Sequence, residues 1–111
     1  MTTSYTHDRD GHRACSVYDL ENQKQLHITT SKSGKALVTR ATVHRVEGDL
    51  LRHIFGFGST SGDYSNYLAC SHPSRVTIQA VRLQHERCLS GLQYIKREIK
   101  THYEAQAAAN V

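Results

Sequence analysis

From Ile78 to His102 the residues Ile78, Val81, His85, Cys88, Leu92, Ile95, Ile99 and His102 recur three and four positions apart. That is the period at which side chains stack on one face of an α-helix. A chain of 111 residues has room for one core, so the segments before this seam must supply the surface that covers it. Pro73 suits the first helical turn, where its missing N–H costs least, and the pattern continues to about Glu104. Gly91 interrupts it at a propensity cost of about 1 kcal/mol relative to Ala. A glycine-type ending there would want Leu92 to meet an apolar residue three or four places before the cap, and Glu86 and Arg87 stand there instead. One continuous helix is therefore expected.

About thirty helical residues span about 45 Å, whereas a six-residue strand spans only about 20 Å, so the helix is expected to overhang its sheet. Its first half is apolar on a wide front, with Val76, Ala80 and Leu83 beside Ile78 and Val81. Beyond Leu89 the stripe narrows to Leu92, Ile95 and Ile99, with Tyr103 alongside. Those four residues form a candidate seam for a second copy of the chain. A broader sheet or a bent helix would instead absorb them into the monomer core.

The sequence before the helix reads as strands. Ala14 to Leu20 and Gln25 to Thr30 are short β-favouring runs, and Ser31 to Lys35 forms a turn. A hairpin follows, from Ala36 to Val46 and from Leu50 to Phe57, closed by Glu47-Gly48-Asp49. Period two puts Leu37, Ala41 and Val43 on one face, and an even-parity register adds Leu51, Phe55 and Phe57 to that face as the core. The opposite face then carries Val38, Arg40, Thr42, His44 and Val46 beside Leu50, Arg52 and Ile54, with His53 projecting away from His44. Ser59 to Asn66 is loop-like, and Tyr67 to Cys70 adds a short fifth strand. Residues 1–13 contain only Tyr5 as a large apolar group and are expected to be a flexible arm. Residues 14–107 form the domain and 108–111 a tail. The expected fold is α+β: an antiparallel meander of four or five strands packed against one long C-terminal helix.

Fourteen Lys and Arg against ten Asp and Glu give a formal charge of +4, and eight histidines would add charge as pH falls through about 6.5. Such a balance is compatible with nucleic-acid binding. Three cysteines at wide spacing, Cys15, Cys70 and Cys88, argue against a disulfide framework and for a reducing, cytoplasmic setting. The polar N-terminal residues read as neither signal peptide nor membrane span.

Several residue sets have the atoms for chemistry. Cys70 and His72 with His85 and Cys88 supply two thiolates and two imidazoles, but a helix from Pro73 separates His72 and His85 by about 16 Å, too far for one zinc ion. His7 and His12 with Asp8 and Asp10 read as a solvated arm, and Cys15 near His12 has no evident oxyanion hole or orienting acid. Residues 55–62 follow a strand and are rich in Gly, Ser and Thr, yet lack the spacing of a phosphate loop, as does Ser33-Gly34-Lys35. Lys32, Lys35, Arg40, His44 and Arg52 form the better candidate set, contacting phosphates as point charges or forks. No catalytic residue, metal or cofactor is assigned. The leading expectation is a small non-enzymatic interaction or regulatory protein that self-associates through the C-terminal helix. The second is a nucleic-acid-binding domain using the basic sheet face, and a zinc or thiol enzyme is third. The expected partners are another copy or another protein, with nucleic acid as the alternative and no membrane.

Overall fold

The computed structural model describes residues 2–9, 11–57, 59–61 and 64–109, and their side chains except at 8, 55–57, 59–61, 64–67, 98, 102, 103 and 105–109. The described residues form one antiparallel sheet of seven strands covered on one face by two helices, an α+β arrangement. The five expected strands correspond to β2 (Gly11–Leu20), β3 (Lys24–Ser33), β4 (Ala36–Glu47), β5 (Leu50–Phe57) and β7 (Tyr64–Ser71). Two more join them: β1 (Thr2–Asp8) and the short β6 (Ser59–Ser61).

The expected flexible arm is the edge strand β1, paired with β2 from Thr2 opposite Val17 to Asp8 opposite Gly11. Its Thr and Tyr residues favour extended backbone, and an open edge of β2 supplies hydrogen bonds that composition alone does not reveal. Of the expected tail, residues 108 and 109 belong to the last helix, and 110 and 111 lie outside the described residues.

Consecutive hairpins set the order. Asn22 and Gln23 both take positive φ between β2 and β3, as a type I′ turn requires, and Gly34 and Gly48 do so in the next two turns. The far edge of the long β4 is divided. Its half from Ala41 to Glu47 pairs with β5, and its half from Leu37 to Arg40 pairs with β7. The β4–β5 register slips between Val43 and His44: Val43 lies opposite Phe55, but His44 lies opposite His53. One extra residue in β5 therefore reverses the faces of everything beyond it. Leu51 pairs with Val46 on the face away from the helices, not in the core, and is 51% exposed. Arg52 pairs with Arg45 and leaves the face that holds Arg40 and His44.

The single long helix is replaced by α1 (Ile78–Leu89) and α2 (Leu92–Ala109). Thr77 caps α1 by accepting from the Ala80 N–H. At the other end the Ser90 N–H donates to the Glu86 carbonyl, its hydroxyl donates to the Arg87 carbonyl, and the Gly91 N–H donates to the Cys88 carbonyl. The Gly91 carbonyl then accepts from Ile95 and begins α2. No left-handed residue is needed for this ending, which is why the requirement for a glycine-type cap did not detect it. The two-residue break keeps the phase of the seam, so Val81, His85, Leu92, Ile95 and Ile99 still face the sheet.

α1 packs Val81 with Ala14 and Leu37, flanked by Val76 and Ala80. α2 packs Ile95 and Ile99 with Leu26, Ile28, Ala41 and Val43, and Tyr18, Leu20, Ile54 and Leu92 surround them. Burial of each such aliphatic side chain contributes roughly 1.5–3 kcal/mol. With Ile95 at 3% and Ile99 at 5% exposure, the candidate dimer seam is spent on the monomer core. Leu92 is half-buried there too, and the side chain of Tyr103 lies outside the described ones. β3 and β4 run to 10 and 12 residues, longer than the strands that suggested an overhang, and that length covers Ile95 and Ile99. No helix among the described residues is long and apolar enough to cross a membrane.

Candidate functional site

Between the two apolar clusters lies a polar chamber around His85. The ring is fully buried, with Nε2 2.8 Å from Ser16 Oγ and Nδ1 2.8 Å from Thr30 Oγ1. Alternation along β2, β3 and β4 delivers Ser16, Thr30 and Thr39 to the helix-covered face, and all three are themselves fully buried. Thr30 shares a 2.7 Å bond with Thr39, whose hydroxyl accepts from the Gln84 amide, and Ser16 shares one of 2.8 Å with Thr3. Tyr5 of β1 closes the chamber edge-on to the His85 ring at 6.4 Å, with the Arg82 guanidinium over its own ring at 4.8 Å. A neutral imidazole donates to one hydroxyl and accepts from the other, so both nitrogens are satisfied. Burial pushes His85 below the ordinary imidazole range, opposed in part by Glu86. Ser, His and Thr in line have the atoms of a nucleophilic site, but a substrate has no access to a fully buried hydroxyl. The chamber clamps α1 to the sheet.

On the opposite face three imidazoles cross adjacent strands. His27 lies 4.5 Å from His44, and His44 lies 5.5 Å from His53, centre to centre. The slip in β5 makes His44 and His53 a cross-strand pair, reversing the expectation that they project apart. His27 Nε2 lies 3.1 Å from Gln25 Oε1 and His44 Nε2 lies 2.8 Å from Thr42 Oγ1, while His44 Nδ1 is buried without a partner among the described residues. Burial lowers His27, and burial followed by the His27 and His53 charges lowers His44. Burial thus favours the neutral form of His27 and His44, and these two add little to the charge of the face near pH 7. Arg40 shares that face, but Arg52 does not and pairs with Glu47 at 3.5 Å.

Lys32 and Lys35 stand elsewhere, at one end of the sheet. They line a cavity of about 540 Å³ together with Arg9, Arg75, Ser74, and the turn residues Gly11 and Gly34. Antiparallel order explains the convergence. The turns after β1 and β3 fall at the same end, and β7, opposite Leu37 at Ser71, delivers the segment before α1 to that end. Both glycines take positive φ, and the space beside Gly11 is open. All four cationic side chains are exposed, none is ion-paired to another described residue, and the described lining contains no carboxylate. A second cavity, of about 650 Å³ at the other end, mixes Asp19, Glu21 and Glu104 with Lys24, Lys96 and Lys100, and its charges offset one another.

The five candidate phosphate contacts are thus split: Lys32 and Lys35 at one end, Arg40 and His44 on the outer face, and Arg52 on the other face near the opposite end. Arg9 and Arg75 escaped the sequence reading because one lies in the segment taken for an arm and the other in the expected first turn of a helix from Pro73, whereas α1 begins at Ile78. Their signal is topological: each sits in a connection at the end where Lys32 and Lys35 lie.

The other candidate sets are not assembled. His85 commits both nitrogens to hydroxyls, and no group of three His, Cys, Asp or Glu among the described residues is arranged to hold a metal ion. Burial raises the Cys88 thiol, a shift that its hydrogen bond with Thr39 opposes. Cys15 accepts from Thr29 at 3.7 Å, and alternation along β2 puts it on the face opposite His12, which stacks on His7 at 4.2 Å. The side chains of Asp8 and Asp10, and those of the glycine-rich segment 55–62, lie outside the described ones. Comparison with protein-family models, with curated proteins and with solved structures finds no match.

Proposed function

We propose that this is a small non-enzymatic binding protein whose partner is a nucleic acid held by its phosphates. The observation that carries this reading is the convergence of Arg9, Lys32, Lys35 and Arg75 on one cavity without a carboxylate in its described lining. Lys and Arg side chains bind phosphate by charge and by forked hydrogen bonds, and they gain affinity by releasing condensed counterions. No aromatic ring belongs to the described lining, so the contact is indifferent to base sequence. The basic site thereby moves from the sheet face to the sheet end. Self-association through the C-terminal helix ranks below it, because Ile95 and Ile99 are occupied within the monomer. The free thiols Cys15, Cys70 and Cys88 support a reducing, cytoplasmic setting as part of the proposal.

Fluorescence anisotropy with labelled oligonucleotides of unrelated sequence, over a series of salt concentrations, tests the reading. Binding should weaken with salt at a log–log slope of roughly −0.7 to −0.9 per phosphate contacted. Lys35→Glu should weaken all sequences alike and flatten that slope by about one contact. Absence of binding by the wild-type protein at low salt would overturn the proposal.

A further inference from the structure

We propose that the basic cavity takes the terminal phosphomonoester of a strand in preference to internal phosphodiesters, an inference that rests on the nucleic-acid reading above. Shape and charge together point to a chain end. The four cations come from three separate chain segments and line one half-open concavity of about 540 Å³, within the size range of small-ligand sites. Among the described residues Arg52 is paired with Glu47 and Lys100 with Glu104, and the opposite cavity mixes both signs. A monoester carries about −1.5 to −2 at pH 7 and offers three terminal oxygens, whereas an internal diester carries a single charge. Two guanidinium forks, two ammonium groups and the Ser74 hydroxyl match the richer acceptor set. Gly11 and Gly34 keep side chains out of the cavity where the two turns border it.

The test uses the full chain and one single-stranded oligonucleotide with either a 5′-phosphate, a 3′-phosphate or hydroxyls at both ends, each labelled internally. At least one phosphorylated strand should bind about tenfold or more tighter than the hydroxyl strand, the worth of one charge-assisted hydrogen bond. Lys32→Ala with Arg75→Ala should abolish that preference while circular dichroism stays unchanged, since both side chains are exposed. The preference should also shrink from pH 7.5 to pH 5.5, as the second phosphate ionisation near pH 6 is lost. His7, His12 and His72 stand near that end of the sheet, and the hydroxyl strand followed over the same pH range is the control for them. Equal binding of the three strands, or a ratio indifferent to pH, overturns the terminal-phosphate claim and leaves the nucleic-acid reading standing. No binding of any strand overturns both.

Discussion

His85 occupies a position where the helical period alone would accept a leucine, and its value lies in the two hydroxyls that meet it. Because burial lowers its folded-state pKa below the ordinary value near 6.5, the unfolded chain binds the proton more readily than the native one. Its contribution to stability is therefore full above about pH 6.5 and declines as pH falls from there toward the folded value. His27 and His44, also lowered mainly by burial, act in the same direction from less buried positions. The urea midpoint should fall between pH 7.5 and pH 5, and a flat profile would contradict the buried neutral ring. His85→Leu should leave Ser16 and Thr30 short of a partner and cost about 1–3 kcal/mol at pH 7.5, while removing part of the pH dependence. Comparison of the two proteins' midpoints at both pH values measures each effect.

At the scale of the element, the helix pair and the β5 slip carry the consequences. A Cβ at Gly91 would stand 3.5 Å from the Cys88 carbonyl oxygen, an ordinary contact, and Gly91 has no positive φ to relieve. Gly91→Ala lowers the entropy of the unfolded chain, which stabilises, and loses a serviceable N-cap, which destabilises. The variant should stay within about 1 kcal/mol of wild type by chemical denaturation. Ile95→Ala should instead cost about 2–5 kcal/mol, because it empties a site packed against Leu26, Ile28, Ala41 and Val43. That loss should be independent of protein concentration, as expected for a monomer core and not for a dimer seam. In β5 the slip leaves Leu50 and Leu51 exposed, at 71% and 51%. Leu51 is outside because the slip turns it to the face away from the helices, and Leu50, opposite Glu47, stands at the end of the strand beside the Gly48 turn.

Among the described side chains the molecule is polarised along its strands, with cations and no carboxylate lining the cavity at one end and mixed charge at the other. Arg40→Ala with Arg52→Ala should accordingly change oligonucleotide affinity by no more than about twofold in the anisotropy assay, since neither side chain lines the basic cavity. A larger loss would return the site to the sheet face. The sequence by itself determined the α+β class, the positions of five strands, the inward set Leu37, Ala41 and Val43, and the phase of the helical seam. Each follows from a period of two or three to four within one segment, which local sterics enforce. Only the tertiary structure decided that the N-terminal segment pairs as β1, that one extra residue in β5 moves Leu51, Arg52 and His53 to other faces, and that Ile95 and Ile99 find a sheet long enough to cover them. It alone gathered Arg9, Lys32, Lys35 and Arg75. Periodicity specifies which way a side chain points from its own element, whereas the neighbour it meets depends on contacts between residues far apart in the chain.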